Sequence, residues 1–203
     1  MPLISRLPIF TQELFYYQID NLSEWQEKIQ HIIMAEETNL KTEPSERCNV
    51  FAGRTDWNSH QRYKALDDLG TEIRLSLEDF IRKEGYDIPT LALHECWVNW
   101  YKKDEHAVPH KHDNFLAVVL FLNVEDSESY FFVHSDNNAV LQKKETNHVT
   151  YNNLKQINVK DGTVIFFDGK VMHSVSANKS NKTRVTVAFN FVPIYDEIRH
   201  EHK

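Results

Sequence analysis

The sequence predicts a mainly β protein in which helices come first and an antiparallel β-sandwich follows, with the helices packed on one of its sheets. Three observations predict it. The early part of the chain carries apolar residues at helical spacing. From residue 90 onward the pattern changes to short apolar runs separated by polar turns. No helical stretch interrupts those runs, which excludes a fold built of βαβ units. At 203 residues the chain is long enough for one well-cored domain, and no shift in composition divides it. The expected layout is a single domain with a helical part over 1–89, a β core over 90–193 and a tail over 194–203.

"TQELFYYQI" reads as a first strand. Ser23 with Gln26 has the spacing of a capping box, and Trp25, Ile29, Ile32 and Ile33 then recur on one helical face. A polar, proline-bearing stretch and "FAGRTDWNS" lead to a second helix, with Leu66, Leu69, Ile73, Leu77, Phe80 and Ile81 as its apolar stripe and Gly85 as its stop. The expected strands after it are "ALHECWVNWYK", "FLAVVLFLNV", "SYFFVHS", "AVLQ", "HVTY", "KQINV", "TVIFF" and "TRVTVAFNFV".

Composition narrows the function classes. A net charge of −7 argues against a protein that holds nucleic acid by bulk electrostatics, and the basic runs "QKKETNH" and "SANKSNKTR" read as solvated loops. The longest apolar runs are too short to span a bilayer, and "MPLISRLPIF" lacks the features of a secretory leader, so a cytoplasmic protein without a membrane partner is expected. Cys48 and Cys96 lack paired-ligand spacing and read as free thiols. The oligomeric state is open, a homodimer being one option.

Chemistry concentrates in three places. In "AVPHKHDNFLAVVLFLN", His110 and His112 sit two residues apart on an extended segment, so both imidazoles point to the same side and can grip one object. His173 follows the tight Asp168–Gly169 turn and completes a three-histidine metal site with open positions, neutral imidazole being a common ligand for iron, nickel, copper and zinc. In the last strand Arg184, Thr186, Ala188 and Asn190 share one face, while Val185, Val187, Phe189 and Phe191 share the face suited to the helices. A buried arginine calls for an anion, so the polar face fits either a bound carboxylate or an internal salt bridge. Asn99 and Tyr101, with Trp97 on the same face, are candidates to hydrogen-bond a ligand or to serve as interior polar residues. His94, His106, His134 and His148 have no usable partner spacing, and "RHEHK" at the chain end has no metal role.

With these residues in place, the sequence resembles the Fe(II)- and 2-oxoglutarate-dependent oxygenases. That superfamily has a proximal His-x-Asp/Glu pair, a distal histidine and, some ten residues further, an arginine often followed by x-Ser/Thr; here His173 is followed by ten residues and then "RVT". The wider pattern "WVNWY", "PHKH", "LFLN", "DGTVIFF" and "RVTVAFN", with "GRTDWNS" upstream, is similar to a group of short, largely uncharacterised oxygenase-like chains, some phage-borne. The resemblance implies a double-stranded β-helix (jelly-roll, cupin-like) core, Fe(II) on His110, His112 and His173, and 2-oxoglutarate anchored by Arg184 and Thr186, with Arg184 the catalytic-site arginine. It implies decarboxylation of this small-molecule cosubstrate to succinate, coupled to hydroxylation of an unidentified primary substrate. His112 stands where the usual pattern has a carboxylate, so the adjacent Asp113 is the competing ligand. Two rival readings accompany it: a cupin-like three-histidine dioxygenase without 2-oxoglutarate, and a non-catalytic β-sandwich with a vestigial metal site.

Overall fold

A computed structural model describes residues 14–39, 50–85, 90–113, 115–124, 130–134 and 154–194. In chain order the elements are β1 (Leu14–Gln18), α1 (Leu22–Asn39), β2 (Val50–Phe51), β3 (Gly53–Arg54), α2 (Ser59–Arg62) and α3 (Lys64–Lys83). The strands β4 (Thr90–Tyr101), β5 (His106–His110), β6 (Leu116–Asn123), β7 (Tyr130–His134), β8 (Leu154–Asn158), β9 (Thr163–Asp168), β10 (Met172–Val175) and β11 (Arg184–Ile194) follow. They form two antiparallel sheets, ordered β1-β9-β6-β11-β4-β3 and β2-β5-β10-β7-β8. The fold is the double-stranded β-helix, with the helices on the six-stranded sheet. The expected strands "AVLQ" and "HVTY", the run "QKKETNH", Cys48, His148 and the terminal "RHEHK" lie outside the described residues.

Strand alternation divides the six-stranded sheet into two chemically different faces. Its outer face presents Cys96, Val98, Trp100, Val118, Leu120, Val187, Phe189 and Phe191 to the buried stripes of α1 (Trp25, Ile29, Ile32, Ile33) and α3 (Leu66, Leu69, Ile73, Leu77, Ile81). Each fully buried aliphatic side chain of this kind stabilises the fold by about 1.5–3 kcal/mol. The inner face over β6 and β9 is apolar, with Ala117, Val119, Phe121, Ile165 and Phe167 packing on Phe131 and Val175 of the opposite sheet. Over β4 and β11 the inner face changes character: Tyr101, Asn99 and Trp97 lie opposite Arg184, Thr186 and Ala188, and all six are buried.

Two local expectations need correction, and a third holds. α1 begins at Leu22, so Ser23 is already inside the first turn, and the Gln26 amide donates instead to the Leu122 carbonyl at 2.7 Å and to Asn123 Oδ1 at 2.9 Å. No capping box forms; Gln26 ties the helix to β6. The early part of the chain is also not purely helical beyond its first strand. β2 and β3 add edges to β5 and β4 respectively, and Gly53 has no room for a side chain because a Cβ there would clash with the Trp100 ring. α3 ends as expected, with Gly85 at φ +79, a conformation that costs a side-chain-bearing residue energy.

Candidate metal centre

β5 and β10 pair so that His110 and His173 are direct Cα partners across the ladder. His112 lies just beyond β5, and its N–H donates to the Gly169 carbonyl at 2.8 Å. Gly169 in turn donates its N–H to the Phe115 carbonyl at 2.8 Å, so the Asp168–Gly169 turn straps the His112 segment from both sides. Only glycine fits there, because a Cβ would lie 2.9 Å from the carbonyl oxygens of Asp113 and Phe115 and 3.1 Å from the His112 Cβ. The outcome is a cluster in which one ring nitrogen of each of His110, His112 and His173 lies within 4.8 Å of the others. Asp113 is exposed and stands outside this cluster.

The other ring nitrogen of each histidine is committed to an acceptor. Nδ1 of His110 donates to the Val108 carbonyl at 2.7 Å, and Nδ1 of His173 to the Val171 carbonyl at 2.9 Å. Nδ1 of His112 donates to Asn190 Oδ1 at 2.7 Å, and Asn190 Nδ2 donates to Glu95 Oε2 at 2.6 Å. A carbonyl can only accept, so each bond fixes the Nδ1–H tautomer and leaves the Nε2 lone pair for a ligand. Burial holds all three imidazoles below their ordinary pKa of 6.5, most strongly His173, where the neighbouring His110 adds to the effect. Neutral imidazole is the form that coordinates a metal. Phe167 and Phe131 pack on the His173 ring at 4.7 and 5.4 Å, and Trp97 stacks on His112 at 5.9 Å.

Beside the histidines, the β4–β11 face carries the other expected site residues. Arg184, 1% exposed, donates from Nη2 to the Ser176 carbonyl at 2.6 Å and lies over the Tyr101 ring at 4.4 Å. Asn99 Nδ2 donates to Thr186 Oγ1 at 3.3 Å, while Asn99 Oδ1 and Trp97 Nε1 are buried polar atoms with no hydrogen-bond partner among the described residues. Asn178 fixes the approach to β11 by donating to the carbonyls of Tyr101 at 2.9 Å and Lys182 at 2.8 Å. Thus "SANKSNKTR" is not wholly a solvated loop: Asn178 within it is fully buried.

A cleft of about 410 Å³ opens onto the histidines, lined by Trp57, His94, Glu95, Trp97, Phe115 and Asn190 among others. His94 stacks on Phe115 at 5.1 Å there, while His134 bonds to the Ser174 hydroxyl at 2.8 Å and takes no part. The partnerships of Glu95, Gly169 and Ser176 were not anticipated from the sequence. Glu95 was accessible to the same period-two count that grouped Trp97, Asn99 and Tyr101. Gly169 gives no comparable sequence signal, since it acts through its backbone, and Ser176 holds Arg184 chiefly through its carbonyl.

Residues 95–190 match the model of the family described as "Putative 2OG-Fe(II) oxygenase". No curated protein matches the sequence. Among solved structures, the chain is similar to a Pseudomonas putida prolyl-4-hydroxylase at 13% identity and TM-score 0.61, over 91% of this chain and 95% of that one. HygX from Streptomyces hygroscopicus, solved with nickel and 2-oxoglutarate, aligns at 14% identity and TM-score 0.58, over 91% and 84% of the two chains. The viral collagen prolyl hydroxylase of Paramecium Bursaria Chlorella virus-1, solved as a 2-oxoglutarate complex, aligns at 14% identity and TM-score 0.55, over 88% and 96%. These likenesses establish the fold, and the family match spans His110, His112, His173, Arg184 and Asn190. Over residues 95–190, in its double-stranded β-helix and in its histidine cluster, the chain resembles the 2OG-Fe(II) oxygenases.

Proposed function

We propose that the protein is an Fe(II)- and 2-oxoglutarate-dependent dioxygenase that hydroxylates a primary substrate entering through the cleft. The observation that carries this reading is the pairing of two features: three converging imidazoles, His173 buried and His110 and His112 half-buried, with every Nδ1 already engaged, and a buried arginine–threonine–asparagine face beside them. The donor set suits iron, because imidazole coordinates it readily and three ligands leave further positions open. The β4–β11 face suits a dicarboxylate, because a buried guanidinium fork and the Thr186 hydroxyl recognise a carboxylate. When bound, Fe(II) and 2-oxoglutarate supply the oxidising power: one oxygen atom of dioxygen goes to succinate as carbon dioxide leaves, and the other enters a C–H bond.

The chain's own residues do the rest. His110, His112 and His173 hold the metal through Nε2. Arg184, steadied by Ser176 and Tyr101, binds the distal carboxylate of the cosubstrate, and Thr186 adds its hydroxyl. Asn99 and Tyr101 orient the cosubstrate between that anchor and the metal. Phe131 and Phe167 keep water from the back of His173. A cytoplasmic setting accords with the buried free thiol of Cys96, and no helix among the described residues is long and apolar enough to cross a membrane.

Anaerobic titration of 2-oxoglutarate into the Fe(II)-loaded protein tests the reading. The expected result is a visible charge-transfer band, with succinate forming once air is admitted. Iron binding without either signal would instead favour a three-histidine dioxygenase that binds its substrate directly.

A further inference from the structure

His112 is the ligand that stands in place of the superfamily's carboxylate, and it is also held differently from its two partners. His110 and His173 are each oriented by the backbone carbonyl two residues earlier in the chain. His112 is oriented by a side-chain chain that crosses to the other sheet and ends on an acid: His112 Nδ1–H to Asn190 Oδ1 at 2.7 Å, and Asn190 Nδ2–H to Glu95 Oε2 at 2.6 Å. We propose that Glu95, acting through Asn190, is a positioning residue that fixes the metal-binding tautomer of His112 and supplies the metal centre with the negative charge its ligand set lacks.

Hydrogen-bond polarity decides which way Asn190 faces. A primary amide can face an imidazole nitrogen with either its oxygen or its NH2 group, and the two orientations select opposite tautomers. A carboxylate only accepts, so Glu95 draws the Asn190 NH2 group to itself and leaves Oδ1 for the ring. The ring must then carry its proton on Nδ1, and Nε2 is free to coordinate. The same polarity polarises the chain towards the ring, because bonds that end on a charged group are stronger than neutral ones. Glu95 and Asn190 are Cα partners across β4 and β11, next to the register shift at Asn190 and Phe191, so the ladder itself sets their pairing. With three neutral imidazoles the metal has no anionic protein ligand, and this relay brings one carboxylate to the ligand at one remove.

The inference rests on the metal-site reading above, and the test separates the two. Metal-free wild type and Glu95→Gln are compared by imidazole nitrogen NMR chemical shifts, and their Fe(II) and Co(II) dissociation constants are measured by anaerobic titration. Glu95→Gln preserves shape but can donate as well as accept, so His112 should show a tautomer mixture and metal affinity should fall about 10- to 100-fold. The double variant Glu95→Gln with Asn190→Asp restores an acceptor-only group against the ring. It should recover the Nδ1–H tautomer and most of the affinity, which a merely structural role would not produce. If wild type binds no metal, the metal-site reading fails. If wild type binds while Glu95→Gln keeps both its tautomer and an affinity within about twofold, or the double variant rescues neither, the relay is refuted.

Discussion

Gly169→Ala isolates the way the Asp168–Gly169 turn positions the third histidine. The added Cβ would stand 2.9 Å from the carbonyl oxygens of Asp113 and Phe115, and 3.1 Å from His112 Cβ. No side-chain rotation relieves contacts with backbone oxygens, so either the turn or the His112 segment must shift. Overpacking of this kind costs about 1–3 kcal/mol. The shift also strains two hydrogen bonds of 2.8 Å, Gly169 N–H to Phe115 and His112 N–H to Gly169, each worth about 1 kcal/mol. With both bonds lost, the sum predicts a destabilisation of roughly 3–5 kcal/mol, with a metal affinity at least about tenfold weaker as His112 moves off its partners. Urea unfolding gives the first quantity and anaerobic Fe(II) titration of the folded protein the second. Gly85→Ala is the control. At φ +79 with nothing within 4 Å, it should lose stability by about 1–2 kcal/mol and leave metal binding intact. Wild-type metal affinity in Gly169→Ala, or an equal loss in Gly85→Ala, would refute the strap.

Three further outcomes follow from the same geometry. His110→Ala and His173→Ala should each lose stoichiometric Fe(II) by metal analysis while circular dichroism stays native-like, and His112→Ala should join them while Asp113→Ala retains iron. The reverse result for the last pair would exchange their roles. The metal-free protein should lose stability on acidification, because burial holds all three imidazoles below 6.5. The unfolded chain therefore takes up protons the folded one resists, so this contribution is complete above 6.5 and declines as pH falls through that value towards the folded pKa values. Urea midpoints between about pH 7.5 and about pH 5.5 should fall more steeply for wild type than for metal-free His173→Ala, and equal slopes would contradict the burial argument. Arg184→Lys keeps a charge but loses the fork, so 2-oxoglutarate should bind at least about tenfold more weakly while iron binding persists, with Thr186→Val showing a smaller loss of the same kind; calorimetric titration of the iron-loaded variants reads both.

The elements most legible in the sequence are those whose pattern extends over many residues. Val185, Val187, Phe189 and Phe191 alternate with Arg184, Thr186 and Asn190, and the structure places the first set against the helices and the second between the sheets. The stripe of α3 was legible for the same reason, with five of its six expected residues buried. By contrast, β2 and β3 are two residues each, too short to carry any period, and they exist because β5 and β4 offer them edges. The capping motif failed because the local signal at Ser23 and Gln26 competed with a tertiary one, the Leu122 carbonyl within reach of the Gln26 amide. At the site, residue types and spacing pointed to the histidines, but the Glu95–Asn190 link depends on strand register, which a single sequence does not supply.

The two sheets divide the work in a way that explains where the fold gives up stability. The short strands β5 and β10 carry His110 and His173, whereas the long pair β4 and β11 carries the buried polar face. A sandwich selected only for stability would continue the apolar inner face of β6 and β9 across that pair, since each buried polar atom left without a partner costs about 1–3 kcal/mol. Asn99 Oδ1 and Trp97 Nε1 are two such atoms, and both lie on the β4–β11 face. The twelve-residue β4 and eleven-residue β11 make that arrangement tolerable. Their outer faces bury Cys96, Val98, Trp100, Val185, Val187, Phe189 and Phe191 against the helices, so the same strands that carry the polar face are fixed by the apolar one. The helices on this sheet therefore do more than cover it. They hold rigid the two strands on which the arginine, the threonine and the acid behind His112 depend for their spacing.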